Sequence, residues 1–106
     1  MDVIYITNTN VIELTGLTDE ITGLLVNDAI VAARLQYCGV DVSGQSWPLT
    51  LDHLVDSPLT ATYRGLLESD LVLTSGQQYT AIVTASSGSM TGTWNCKVLA
   101  QVRPCA

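Results

Sequence analysis

Apolar and polar residues alternate along most of the chain, which is typical of β-strands that bury one face. The alternation is clearest near the C-terminus, where one face consists of Trp94, Cys96, Val98, Ala100 and Val102. The opposite face consists of Asn95, Lys97, Leu99, Gln101 and Arg103. This run, which Pro104 closes, predicts a strand of about ten residues with the Trp94 face in the core.

The same period recurs in several shorter segments that are separated by turn-forming residues. These segments are residues 3–6, 11–14, 28–38, 47–51, 59–67 and 79–84. The first two are interpreted as one edge strand interrupted near Asn8, and Pro48 limits its strand to an edge or a strand start. Residues 86–92 are expected to form a flexible loop between the last two strands. Residues 21–33 are rich in alanine and fit a helix as well as a strand.

About seven short, evenly spaced strands predict an all-β fold, specifically an immunoglobulin-like β-sandwich. The 106 residues suit one domain spanning 1–106, with residues 1–10 as an N-terminal arm.

The most specific local motif is Leu73-x-x-Gly76-x-x-Tyr79. In immunoglobulin-like sandwiches a tyrosine near the start of the sixth strand folds its hydroxyl back onto the upstream backbone, an arrangement called the tyrosine corner. We therefore predict that Tyr79 is buried and that its hydroxyl bonds a backbone group between Leu73 and Gly76. The alternative is a tyrosine at an ordinary strand start.

The charge pattern limits the classes of partner. Only 13% of the residues are charged, against about 25% in ordinary soluble domains. The net charge is −6, and the four basic residues are scattered as Arg34, Arg64, Lys97 and Arg103. This pattern argues against nucleic-acid binding, which requires clustered basic residues. Residues 71–106 contain no acidic residue, so copies of the chain are expected to meet each other or an acidic partner there, unless the late strands are simply central ones.

Targeting signals and cysteines indicate the compartment. The start of the chain has no basic segment followed by an apolar one, and no run approaches the ~20 apolar residues of a membrane span. We therefore expect neither a signal peptide nor a membrane partner. The odd set Cys38, Cys96 and Cys105 predicts free thiols in a reducing cytosol, with a Cys38–Cys96 bridge as the less favoured alternative. Without a CxxC pair, structural zinc is not expected.

Candidate catalytic and metal-binding groups are sparse. The only histidine, His53, lies near Asp52, Asp56 and Ser57, but the nucleophile turn of a hydrolase is missing. Acidic residues Asp19, Glu20 and Asp28 lack the spacing of a calcium loop, so a solvated turn is preferred. We therefore expect no enzymatic activity and no cofactor. Most of the larger aromatic residues are expected in the core rather than in a sugar-binding row; they are Trp47, Trp94, Tyr5, Tyr37 and Tyr63.

Four short motifs carry a resemblance to a known family. They are Asp28-Ala29-x-Val31, Trp47-Pro48-Leu49, Tyr63-x-Gly65-x-Leu67 and Gly76-x-x-Tyr79-x-Ala81. Together they resemble small immunoglobulin-like virion proteins of tailed bacteriophages, and similar signatures occur in domains of baseplate and fibre proteins. The resemblance extends over residues 11–94. It implies a virion component assembled in the host cytoplasm, and it brings no catalytic residues with it.

Four hypotheses for the function follow from these observations. The first is a capsid decoration or cement protein that binds the major capsid protein. The second is a neck, tail or baseplate component, the third is a carbohydrate- or protein-binding adhesion module, and a small enzyme is the most remote.

Several copies are expected side by side on the larger particle. An extended N-terminal arm can add a strand to a neighbour's sheet. The expected partner contacts are Val3, Ile4, Tyr5, Ile6, Lys97 and Arg103.

Overall fold

The computed structural model describes residues 3–19, 21–26, 28–54, 61–88 and 90–103. These residues form β-strands and no helix. The strands are β1 (Val3–Tyr5), β2 (Asn10–Leu14), β3 (Ile30–Tyr37), β4 (Val40–Asp41), β5 (Leu49–His53), β6 (Tyr63–Leu67), β7 (Gln78–Ser87) and β8 (Met90–Gln101). The predicted all-β class is confirmed. Of the alanine-rich stretch, residues 30–33 belong to strand β3, and residues 21–26 form a loop.

The strands form one sheet in the order β1-β8-β7-β3-β5-β6-β2, and β4 also pairs with β3. The β1–β8 pair is parallel, and the other pairs are antiparallel. Strand β5 pairs with β3 through residues 49–51 and with β6 through residues 52–53. Because β5 joins the two halves in this way, the sheet bends over on itself and is nearly barrel-shaped.

One hydrophobic core lies inside the bent sheet. Its buried residues come from both halves, with Ile12, Tyr63 and Leu67 on the β2–β6 side and Val31 and Leu35 on β3. The strict alternation in β3 buries every second side chain, as the period of two requires. Removal of these apolar side chains from water is the main force that holds the two halves together.

The sequence predicts correctly which side of β8 faces the core, but fewer residues on that side are buried than predicted. Val98 and Ala100 are fully buried, whereas Trp94 is 37% exposed and Val102 is 65% exposed. Cys96 is also exposed. Among the described residues, β1 flanks β8 only from Leu99 onward, so residues 91–97 lie at an edge of the described sheet, where Trp94 and Cys96 remain exposed.

The connection between β7 and β8 is shorter than predicted. The two strands pair as far as Ser87 opposite Met90, so residues 86, 87 and 90–92 of the expected loop belong to the strand pair. Gly88 has a φ of +59°, in the left-handed region that tight hairpin turns require. A glycine followed by a serine between two alternating runs is the signal that indicates this turn in the sequence.

The N-terminal arm is not free. Strand β1 adds to the chain's own sheet, and Ile4 is fully buried in the core, so the prediction of Ile4 as a partner contact is wrong. The buried Asn10 fixes the turn that follows: its Oδ1 accepts the Tyr5 amide, and its Nδ2 donates to the carbonyls of Tyr5 and Asn8, each over 3.0 Å. The Arg103 guanidinium lies 4.6 Å from the centroid of the Tyr5 ring.

The Tyr79 hydroxyl accepts a hydrogen bond from the backbone amide of Thr74, over 2.8 Å, and the Tyr79 side chain is buried. The bond lies within the segment that the sequence predicts. Gly76 donates its own amide to the carbonyl of Ala100 over 2.8 Å, which ties the turn to β8. Together the two bonds fix the chain where it enters β7.

We expect Tyr79→Phe to lower the free energy of unfolding by about 1 kcal/mol, the typical net contribution of one hydrogen bond. Urea denaturation measures this loss. Tyr37→Phe removes the same atom from a side chain that is 47% exposed and serves as the control, with a much smaller loss. Equal stability of Tyr79→Phe and the parent chain would show that the Thr74 bond contributes nothing.

Candidate functional site

The residues considered for catalysis have structural contacts. His53 ends β5, and its ring packs edge-on against the ring of Tyr63, with 5.2 Å between the centroids. Asp52 is exposed beside it. Asp56 and Ser57 lie outside the described residues. The described part of this segment therefore assigns His53 a packing contact with a core residue.

The acidic residues considered for calcium also have local partners. Asp19 Oδ1 accepts the amides of Ile21 over 2.8 Å and Thr22 over 3.2 Å, which is a turn-capping role. Asp28 Oδ1 accepts the Ser87 hydroxyl over 3.1 Å. Glu20 lies outside the described residues. Across the described ranges, no group of three or more His, Cys, Asp or Glu side chains is placed to hold a metal ion.

The remaining sequence predictions concern cysteines and membranes. Cys38 and Cys96 are both free and exposed, so the alternative of a bridge between them is wrong. Cys105 lies outside the described residues. None of the described residues belongs to a helix that is long and apolar enough to span a bilayer.

The aromatic residues divide between core and surface. Tyr63 is buried, as predicted, and Trp47 is half-buried with its Nε1 donating to the carbonyl of Val42 over 2.7 Å. The predicted core location is wrong for Tyr37 and Trp94, which are exposed. Both lie on the core face of their strands, beyond the part that the opposite half of the sheet covers.

The outward sides of β3, β7 and β8 form one continuous surface, called the outer face below. The strand register places three rows of side chains on it. They are Ile30, Ala32, Arg34 and Gln36 from β3; Gln78, Thr80, Ile82, Thr84 and Ser86 from β7; and Thr91, Thr93, Asn95, Lys97 and Leu99 from β8. The face is thus dominated by threonine and small or branched apolar residues.

The outer face carries almost no charge. Its charged members are Arg34 and Lys97, and Arg34 forms an ion pair with Asp41 over 2.6 Å. Gln36 also donates to Asp41, over 2.9 Å. Strands β3, β7 and β8 contribute no carboxylate to this face, although the net charge of the chain is −6, and the Asp41 carboxylate that β4 places at its border is paired with Arg34. Such a surface can be covered by a partner without the cost of desolvating unpaired carboxylates.

Residues 91–97 of β8 form a second surface, called the open edge below. The amide and carbonyl of Ala100 both bond toward β7, to Gln77 and Gly76. Because backbone groups alternate in direction along an antiparallel strand, odd-numbered residues of β8 direct theirs away from β7. These residues are Thr91, Thr93, Asn95 and Lys97, all of them exposed. Within the described part of the chain, no strand other than β7 pairs with residues 91–97.

A shallow groove lies on the inner side of the open edge. It encloses a cavity of about 130 Å³ between Trp94 and the segment around Val26 and Ala29. The buried Tyr63 hydroxyl fixes that segment, since it donates to the carbonyl of Val26 over 2.7 Å and accepts the Ala29 amide over 3.2 Å. The Trp94 ring lies over Gly92, where a Cβ would come within 2.9 Å of the indole.

A second concavity lies at the opposite end of β3. It encloses about 230 Å³ and is lined by Tyr37, Val40, Val72 and Tyr79, among others. The rings of Tyr37 and Tyr79 are 5.8 Å apart between centroids. Repulsion from the charge of the neighbouring Cys38 thiolate raises the pKa of Tyr37 above its usual value. The exposed Val40 and Val72 make this concavity apolar.

Of the predicted contact residues, Lys97 and Arg103 are both exposed. Lys97 lies on the open edge and the outer face. Val3, Tyr5 and Ile6 are half-buried in and after β1, which pairs with the same edge of β8 beyond residue 97. The structure therefore places Lys97 on the two surfaces described above and Arg103 against Tyr5.

The described residues form an all-β structure with a sparsely charged sheet face, which continues into a strand edge that no other described strand pairs with. Comparison of the sequence with models of known families gives no match, and comparisons with curated proteins and with solved structures give none either.

Proposed function

We propose that this chain is a non-catalytic structural component of a bacteriophage virion that docks on a larger protein through its outer face. Our preferred assignment is a capsid decoration or cement protein, present in many copies, with the major capsid protein as its partner. A neck, tail or baseplate component is the second candidate. The motifs that resemble small virion proteins support the particle assignment.

We also propose that the fold is an immunoglobulin-like sandwich, and the strand order supports this. In such folds, one sheet contains the third, sixth and seventh strands, and the second strand belongs to the other sheet. If the two-residue β4 is left out of the count, β7 and β8 are the sixth and seventh strands. Here β3, β7 and β8 are neighbours, and β2 pairs with β6 in the other half. The bond from Thr74 to Tyr79 at the start of β7 corresponds to the tyrosine corner of these domains.

One observation carries the docking role, namely the scarcity of charge on the outer face. A surface that remains in water ordinarily mixes both signs of charge. In the row that joins Ala32, Thr84 and Thr93 across three strands there is no charge at all. A protein partner covering this row would bury small apolar and hydroxyl groups, as the centre of a protein interface does.

The test places a carboxylate in the centre of the outer face. Thr84→Glu is flanked by Ala32 and Thr93, which provide no counter-charge, whereas Val11→Glu adds the same charge to an exposed position on β2. Each tagged variant is incubated with particles produced by the encoding genome after deletion of this gene, and co-sedimentation is measured. We expect Thr84→Glu to bind at least about tenfold more weakly than the parent chain and Val11→Glu to bind normally.

The same assay on separated heads and tails distinguishes the two candidates. Binding to heads supports the cement assignment, and binding to tails alone replaces it with the second candidate. If the parent chain binds neither structure, the virion role is overturned. Equal loss of binding in Thr84→Glu and Val11→Glu would overturn the outer face as the docking surface.

A further inference from the structure

The open edge lacks the features that usually protect a strand edge from pairing. Edge strands are commonly blocked by proline, by a bulge or by several charged side chains. Between residues 91 and 97 the β7–β8 pairing is continuous, the segment has no proline, and Lys97 is its only charged residue. Four residues direct their amide and carbonyl groups outward and pair with no strand among the described residues, so they form a template for one further strand.

We infer that the occupant of the open edge is a second copy of this chain, paired antiparallel about a two-fold axis that passes through Trp94. The register follows from the geometry. The four outward residues are placed symmetrically about Trp94, so Thr91 lies opposite Lys97 of the second copy, and Thr93 lies opposite Asn95 of the second copy. Since these residues direct their backbone groups outward, both pairs are of the hydrogen-bonded kind.

The side chains are self-complementary in this register. Lys97 lies opposite an uncharged threonine, so the two lysines do not meet, and the segment contains no carboxylate to desolvate. On the outer face Thr93 and Asn95 of the second copy form a polar cross-strand pair. A strand of another protein would require its own match to this pattern, whereas a second copy supplies it by symmetry.

Trp94 provides the apolar centre of the interface. Its partly exposed indole lies on the inner side of the edge, and in this register the two tryptophans meet directly at the axis. That position is of the non-hydrogen-bonded kind, where side chains of paired strands come closest. Aromatic pairs on one face of paired strands stabilise the pairing beyond the area that they bury. Gly92 and Cys96 of the second copy, which flank the indoles, are small enough to leave them room.

The dimer goes beyond the proposed function and does not depend on it. Strands β3, β7 and β8 of both copies become one continuous sheet, so the two outer faces join into a single surface around the axis. A symmetric pair would then present two docking faces at once, which increases avidity for a multicopy target. Failure of the dimer leaves the particle-binding assay unaffected, so the two ideas fail separately.

The experiment uses charge pairs in the predicted register. The double variant Thr93→Lys/Asn95→Lys places lysine opposite lysine at both positions, and Thr93→Glu/Asn95→Glu places glutamate opposite glutamate. Their neighbours on β7 are Thr84 and Ile82, so the monomer tolerates either change. Sedimentation equilibrium is expected to give a dimer for the parent chain. Each double variant alone is expected to dimerise at least about tenfold more weakly.

An equimolar mixture of the two double variants is the decisive sample. Opposite charges then face each other, and we expect a one-to-one heterodimer that salt weakens. Hydrogen exchange locates the interface: protection of the amides of residues 91, 93, 95 and 97 should rise with concentration in the parent chain. A parent chain that stays monomeric up to about 100 µM overturns the inference. Double variants that dimerise as strongly as the parent chain overturn it as well.

Discussion

Val98→Asp is expected to abolish cooperative folding. Val98 is 0% exposed, lies opposite Tyr79 in the β7–β8 ladder, and belongs to the one hydrophobic core. An aspartate there would be buried without a counter-charge, at a cost of about 3–5 kcal/mol. The lost burial of the valine side chain adds about 1.5–3 kcal/mol. The sum reaches the lower part of the range of domain stabilities, which is about 5–15 kcal/mol.

Val102→Asp is the matched control, because Val102 follows Val98 at the same alternating positions and is 65% exposed. It should change stability by less than about 0.5 kcal/mol. Near-ultraviolet circular dichroism and a thermal melt distinguish the two variants, with a sigmoidal transition expected for Val102→Asp alone. A near-native transition in Val98→Asp would place Val98 outside the core and would shift the assigned register by one residue.

Period and strand positions were predictable because both are local properties. In a pleated strand, successive side chains point to opposite faces, so buried residues recur at every second position, as Val31, Ala33 and Leu35 do. The bond to Tyr79 was predictable for the same reason, since its two ends lie five residues apart. Local chemistry at Gly88 also indicates the tight turn, although the neighbouring serines suggested a longer loop.

The location of the edge was not predictable, because it depends on pairing between distant segments. Burial of Trp94 would require a strand on the far side of β8, and β1 reaches only Leu99, Ala100 and Gln101. No local pattern specifies that Val3–Tyr5 pairs with residues 99–101 of β8. The same holds for the groove wall, which the Tyr63 hydroxyl fixes across more than thirty residues of sequence. The candidate surfaces therefore emerge only from the assembled sheet.

Gly44→Ala is expected to lower the free energy of unfolding by about 4 kcal/mol, through a clash of two backbone segments. Gly44 has a φ of +107°, and a Cβ at this position would overlap the carbonyl oxygen of Asp70 and lie 2.9 Å from the Cα of Leu71. Both obstacles are backbone atoms, so no side-chain rotation can relieve the overlap. The two segments would have to separate, which would break the 2.9 Å bond from the Val72 amide to the Ser43 carbonyl.

The control for this prediction is Gly39→Ala. Gly39 also has a positive φ, of +79°, but no atom of the described residues lies within 4 Å of the position that a Cβ would take there. Alanine at Gly39 should cost only the left-handed backbone strain, about 1–2 kcal/mol. Urea denaturation of both variants separates the close approach from the strain, and equal losses would show that the two segments move apart freely. Because Val42 and Val72 line the apolar concavity beside Tyr37, the Gly44 contact also holds that surface in shape, and its loss should expose Tyr37 further to solvent.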